Sequence, residues 1–205
     1  MSGLNHELLK AMLSAATNSV ELNIAHLNQL DSATGDGDHG TSMVKAMRSA
    51  SKSVAEAPVG QSFKETLHNA GWAVMGEDCG STSSLIGAFF MGMSDAAVSD
   101  ELVGEAAIAM FAAGLAGISK QTKAKVGDKT LMDALIPAIE AMQQTDDLKT
   151  ALDAAASAAA QGAESTKAYV AKFGRAKNLG QRVIGHIDAG ATSIALIFDA
   201  FAKSL

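Results

Sequence analysis

Cysteine is almost missing from this chain. Cys79 stands alone among 205 residues, so no intrachain disulfide forms and a disulfide-stapled secreted scaffold is excluded. Proline occurs twice, at Pro58 and Pro137, which lets long helices run with little interruption. Aromatic residues make up only 4%, and small alanines are abundant, a composition suited to closely packed helices. No unbroken apolar run approaches the ~20 residues that a membrane helix needs. The N-terminal MSGLNHELLK lacks the basic and apolar blocks of a signal peptide. A soluble, cytoplasmic protein is expected, with no membrane partner. Positive charge is in deficit, with a net charge of −6, which argues against a nucleic-acid partner. A phosphate ligand would need a local device to overcome that charge: a metal ion, a helix N-terminus or a few placed basic residues. Serine nucleophile elbows, H-E-x-x-H zinc motifs and Cys–His arrangements are also lacking, which leaves hydrolase and zinc-enzyme readings without support.

What the chain does contain is helical periodicity. Leu9, Leu13, Ala16, Val20, Ile24 and Leu27 recur at steps of three and four, predicting a first helix over Leu4 to Leu30. Further helices are expected from His39 to about Ser53, from Gln61 to Gly76 and from Gly80 onward. Another follows Ser99 and Asp100, which would cap a helix over Glu101–Ser119. Leu131–Met142, a long helix over Asp146–Phe173 capped by Thr145, and a last one to Leu205 complete eight. No segment alternates like a strand, and no composition shift divides the chain, so one domain over residues 1–205 is expected. The polar, glycine-bearing loops DSATGDGDHG, DCGSTSS, KAKVGDKT and GHIDAGATS separate these helices. In an up-and-down arrangement alternate loops share one end, where several would converge on one ligand.

Asp31, Asp36 and Asp38 are the sharpest feature. Three carboxylates within eight residues repel one another unless a hard divalent cation relieves them, and Mg2+ prefers oxygen ligands and leaves positions for phosphate oxygens. A solvated acidic turn with Asp38 as a helix cap fits the same pattern. Gly35, Gly37 and Gly40 spell G-x-G-x-x-G, but a helix precedes them where a dinucleotide fingerprint needs a strand. An EF-hand fails too, because Thr41 and Met47 stand where glycine and glutamate are required.

Gly127-Asp128-Lys129-Thr130 resembles the end of a P-loop with its order broken. It reads either as a helix start capped by Asp128 or Thr130, or as a nucleotide-facing loop carrying Lys120, Lys123, Lys125 and Lys129. Gly80–Ser84 precedes an apolar helix and offers N–H groups and hydroxyls to phosphate. Arg175, Arg182, His186 and Asp188 lie in a glycine-rich stretch that suits either phosphate binding or a loop packed by ion pairs.

Together these loops resemble the nucleotide-binding subunit, or C-terminal domain, of dihydroxyacetone kinases (the DhaL type). G-D-x-D-H-G corresponds to Gly35–Gly40, G-D-K-T to Gly127–Thr130 with Asp133 and Pro137 after it, and a long glycine–arginine motif to Gly174–Ser193. The resemblance implies an all-α fold, a closed antiparallel eight-helix barrel with the nucleotide in loops at one end. It implies ADP or ATP with two Mg2+ ions on Asp31, Asp36 and Asp38. Nucleotide contacts would come from His39, Gly40, Thr41, Ser42, Ser81, Thr82, Thr122, Leu131, Arg175, Asp188, Ala189 and Gly190.

The resemblance further implies that no catalytic residue beyond the metal ligands resides in this chain. A DhaK-type partner would hold the ketose covalently through a histidine and supply the base. The phosphoryl donor would be exchangeable ATP, or a phosphotransferase-system protein that recharges bound ADP in place. A homodimer is a further expectation. The sequence departs from the family at Cys79–Ser84, Thr122, Leu131 and Ala189, changes that spare the three aspartates and leave a related ketose such as a tetrulose open as substrate. Two rival readings use the same residues: a regulatory subunit that reports nucleotide state to a transcription factor, and a purely structural bundle.

Overall fold

The computed structural model describes residues 3–205. The N-terminal periodicity becomes a buried seam, with Leu9, Met12, Leu13, Ala16 and Val20 on the inner face of α1 (His6–Leu22). Asn5 caps this helix by accepting the Leu8 N–H. The single helix expected over Leu4–Leu30 is divided in two. Asn23 departs from helical geometry at φ −107° and ψ 10°, and its side-chain amide turns back to the Ser19 carbonyl. A second segment, α2 (Ile24–Ser32), starts there and carries Asp31 at its end.

Seven helices follow: α3 (His39–Ala55), α4 (Phe63–Met75), α5 (Ser81–Ala96), α6 (Glu105–Ser119), α7 (Met132–Met142), α8 (Leu148–Ser165) and α9 (Ala189–Ala202). Their packing runs from α1 to α3, α4, α5, α6, α7, α8 and α9, and from α9 back to α1. That is the closed eight-helix circuit that the family resemblance implies, with α2 lying beside α3 and α9. Each helix of the ring therefore finds two neighbours for its apolar stripe. The interior is filled by Phe111, Phe198 and Phe201, with ring centroids 5.9 to 6.4 Å apart, and only about 20 Å³ of apolar space remains near them. Small residues set the spacing. A methyl group on Gly92 would strike the Ala113 carbonyl and one on Gly117 the Ala88 carbonyl, so α5 and α6 meet backbone to backbone.

Three boundaries differ from the sequence expectation. The helix predicted from Glu101 starts at Glu105, because Glu101–Leu102 pairs antiparallel with Leu4–Asn5. Asp100 does not cap that helix, since its carboxylate accepts the Phe63 N–H at 2.7 Å, across the end of the barrel. The long helix stops at Ser165, not Phe173, where Thr166 is fully buried and its hydroxyl donates to Ala163. Asp147, not Thr145, provides its cap by accepting the Thr150 N–H.

The connections alternate between ends. The loops α3–α4, α5–α6 and α7–α8 lie at the end carrying the two-residue ladder. The connections α2–α3, α4–α5, α6–α7 and α8–α9 all reach one cleft at the other end. No helix among the described residues is long and apolar enough to cross a membrane.

Candidate functional site: a carboxylate cluster in an interhelical cleft

The cleft has a volume of about 750 Å³, the size of a small-molecule site. At one wall Asp31, Asp36 and Asp38 bring ligand oxygens within 4.8 Å of one another. The local fold explains this. Asp31 sits in the last turn of α2, and its Oδ2 accepts the N–H groups of Gly37, Asp38 and His39 at 2.9, 3.0 and 3.3 Å. One carboxylate thus templates the whole turn that carries the other two. Gly37 supplies a positive φ of 79° there, beside the Ser32 hydroxyl. Asp38 precedes α3 but accepts no cap hydrogen bond, so its carboxylate is left for the cluster. Three converging carboxylates, two of them exposed, are a hard oxygen donor set that fits Mg2+.

His39 faces the same cleft. Its Nε2 lies 2.7 Å from Ser193 Oγ, whose single hydrogen goes to the Ala189 carbonyl at 3.0 Å. With the Ser193 hydrogen on Ala189, the tautomer that completes this pair carries its proton on Nε2 and offers Nδ1 as an acceptor. Burial holds His39 below the ordinary histidine value, against the opposing pull of Asp31 and Asp38. This pair joins the start of α3 to the start of α9.

Opposite, α5 begins at Ser81 behind Gly80 (φ 56°) with no side-chain cap. Ser83 and Ser84 turn their hydroxyls back onto the carbonyls of Gly80 and Ser81. The Thr82 N–H goes to the Cys79 carbonyl at 3.2 Å, and the rest of this first turn is without a side-chain cap at the rim of the cleft, a seat suited to phosphate. Leu131 and Gly190 line the wall between, so close that a side chain at Gly190 would crowd Leu131. Asp188 caps α9 through the Ala191 N–H, and desolvation pushes its carboxyl up to about 6.

Of the residues singled out from sequence, Asp31, Asp36, Asp38, His39, Ser42, Ser81, Thr82, Thr122, Leu131, Arg175, Asp188, Ala189 and Gly190 line the cleft. Gly40 and Thr41 do not. Their N–H groups are taken by Asn28 Oδ1 at 2.8 and 3.2 Å, and a side chain at Gly40 would strike the Ile24 carbonyl. Arg182 and His186 also lie outside the lining.

The lysine loop is corrected most. Lys129 is buried with φ 60° and donates its Nζ to the Thr166 carbonyl at 2.6 Å and to the His186 carbonyl. Asp128 is buried and paired with Lys172 at 2.6 Å. Asp133 accepts the Gly127 and Thr130 N–H groups at 2.6 and 2.7 Å. G-D-K-T thus shapes the loop from within while Lys129 and Thr130 line the cleft, as a nucleotide-facing loop would, whereas Lys120, Lys123 and Lys125 do not. Asp78, Gln121 and Phe173 also line the cleft; Asp78 opens the DCGSTSS loop but was not itself singled out, and nothing in the neighbourhoods of Gln121 and Phe173 marks them as site residues.

The DAK2 domain matches residues 33–203. The chain belongs to the DAK2 family. It is 34% identical to the ADP-binding subunit DhaL of PEP-dependent dihydroxyacetone kinase 1 of Listeria innocua, over 90% of this chain and 89% of that one. It is 35% identical to the corresponding DhaL subunit of Escherichia coli, over 86% of each. It is 33% identical to an L-erythrulose kinase of Pectobacterium atrosepticum, where it covers 95% of itself and 34% of the longer enzyme. The crystal structure of the C. freundii dihydroxyacetone kinase in complex with AMP-PNP and Mg2+ superposes with a TM-score of 0.76 at 25% identity. That match covers 100% of this chain and 35% of that one. Fold and family agree on a kinase subunit of the DhaL type.

Proposed function

We propose that residues 1–205 form one nucleotide-carrying unit, and that the cleft binds Mg-ADP or Mg-ATP through Asp31, Asp36 and Asp38. The observation that carries this is the convergence of three carboxylates within 4.8 Å at the wall of a cleft whose far side offers uncapped helix N–H groups. Two Mg2+ ions there would neutralise charge on the phosphates, which is what an acidic chain needs to accept a polyphosphate. Ser81 and Thr82 receive phosphate oxygens, His39 and Ser42 flank them, and Leu131 with Asp188–Gly190 and Thr122 forms the remaining wall. Similarity to subunits named for ADP binding, and to an enzyme crystallised with AMP-PNP and Mg2+, supports the reading.

The acceptor is a short-chain ketose, dihydroxyacetone or a tetrulose, held covalently by a DhaK-type partner in the cytoplasm. Bound to Mg2+, the three aspartates would stay ionised and serve as ligands rather than bases, and the base for the acceptor hydroxyl is assigned to that partner. The donor that recharges the nucleotide is a phosphotransferase-system protein, in line with relatives described as PEP- or PTS-dependent.

The expected result is clear-cut. The purified chain binds ADP in Mg2+ but phosphorylates no ketose, and turnover starts on adding the DhaK-type partner. Ketose kinase activity at full rate from this chain alone contradicts the division of labour.

A further inference from the structure

Arg175 is tied to the carboxylate that a metal ion would need. The segment around it leaves the barrel and returns at one clamp. Lys129 Nζ holds the Thr166 and His186 carbonyls, and the Gly185 N–H reaches the Lys167 carbonyl at 2.8 Å. The Asp188 N–H meets Thr166 Oγ1 at 2.9 Å. Beyond this clamp Lys172 pins the outgoing strand of the loop to Asp128. Past Lys172, Phe173 packs against the core and lines the cleft, and beyond it the chain is largely exposed. Gly174 and Gly180 have φ of 63° and 57°, and no atom lies within 4 Å of where their side chains would point.

Among the described residues, the Arg175–Asp36 ion pair is the only hydrogen bond or ion pair that ties residues 174–184 to anything beyond the segment itself and its clamp. Val183 adds one buried apolar anchor. The strap therefore carries positive-φ glycines at 174 and 180, and its one polar tie across the cleft is the Arg175 guanidinium.

That guanidinium occupies Asp36 Oδ2, in the same cluster whose oxygens converge within 4.8 Å. A guanidinium and a divalent cation compete for one carboxylate. We propose that Arg175 is a metal-displaced latch. It holds the strap across the cleft in the metal-free protein, gives up Asp36 when the cluster takes a divalent ion, and re-engages on the nucleotide phosphate. The inference rests on the metal-nucleotide reading of the cleft. It adds an order of events: the ion opens the strap and the nucleotide closes it. Arg175 is 71% exposed at its side chain, so replacing it leaves the barrel core untouched.

Because coupling between two ligands of one site is reciprocal, removing the arginine must strengthen metal binding, by at least about 5-fold for a coupling of ordinary size. The test measures Mn2+ affinity by water-proton relaxation in the wild type and in Arg175→Gln. Hydrogen exchange of the 174–184 amides is measured alongside in chelator, in Mn2+ alone and in Mn2+ with ADP. The latch predicts tighter Mn2+ binding in Arg175→Gln. It predicts faster exchange of the wild-type strap in Mn2+ than in chelator, and slow exchange again once ADP is added. Asp36→Asn should show the fast exchange even in chelator. Unchanged Mn2+ affinity in Arg175→Gln, or a strap whose exchange ignores the bound ion, overturns the latch and leaves the metal site standing. Absence of Mn2+ binding in both proteins overturns the metal reading, and the latch with it.

Discussion

Replacing Lys129 by methionine is expected to destabilise the protein by about 3–5 kcal/mol, the cost of removing one partner from a buried charged network. The ammonium is buried, carries two carbonyl hydrogen bonds, and lies near the carboxylates of Asp133 and Asp188. Desolvation already pushes both carboxyls up, and Lys129 is the cation that offsets Asp188. Methionine fills the volume but takes the ammonium donor from the His186 carbonyl and leaves the Thr166 carbonyl with the Tyr169 N–H alone. The clamp at the base of the 166–188 segment opens with it. The measurement is the urea unfolding midpoint, with Lys123→Met and Lys125→Met as comparisons. Those two exposed lysines should each stay within about 0.5 kcal/mol of the wild type. Equal small effects at all three positions would mean that Lys129 is an ordinary surface cation, and the account of this loop would fail.

The second large effect separates the three aspartates by role. Asp38→Asn removes charge from the cluster and leaves the turn intact. Asp31→Ala removes charge and also the acceptor of three backbone N–H groups. Loss of a group that only orients a metal ligand commonly costs about 10–100-fold in affinity. Asp31 is both ligand and template, so its removal should exceed about 100-fold in Mg-dependent ADP affinity and should loosen residues 35–39. Asp31→Asn distinguishes the roles, since the amide oxygen still accepts the N–H groups while the charge is gone. It should restore the ordered turn without restoring metal affinity. If Asp31→Ala weakens ADP no more than Asp38→Asn, the templating role is refuted.

These two residues also show where the sequence was readable. The helices were legible because each carries its own apolar period, as Leu9, Leu13, Ala16 and Val20 do on α1, whereas their closure into a ring was implied only by the family resemblance. The carboxylate cluster was legible because its three members fall within eight consecutive residues. What periodicity does not encode is long-range pairing. Asp100 looks like a local cap but bonds Phe63, thirty-seven residues away. The Glu101–Leu102 ladder requires Leu4–Asn5, and two-residue strands leave no alternation to detect. Asn23 breaks the first helix through a side-chain bond that several other polar residues could equally have made. Lys129 misleads most, because a lysine among lysines reads as a surface charge until its carbonyl partners at 166 and 186 are brought to it by the fold. Asp78 and Gln121 entered the cleft in the same way, through the closure of the ring.

The most direct test of the account is calorimetric titration of ADP into the chain, with Mg2+ and with excess chelator, repeated on the Asp31→Asn, Asp36→Asn, Asp38→Asn triple variant. The account predicts binding to the wild type only when Mg2+ is present, and none to the triple variant in either condition. Equal ADP affinity in chelator, or undiminished affinity in the triple variant, would contradict it.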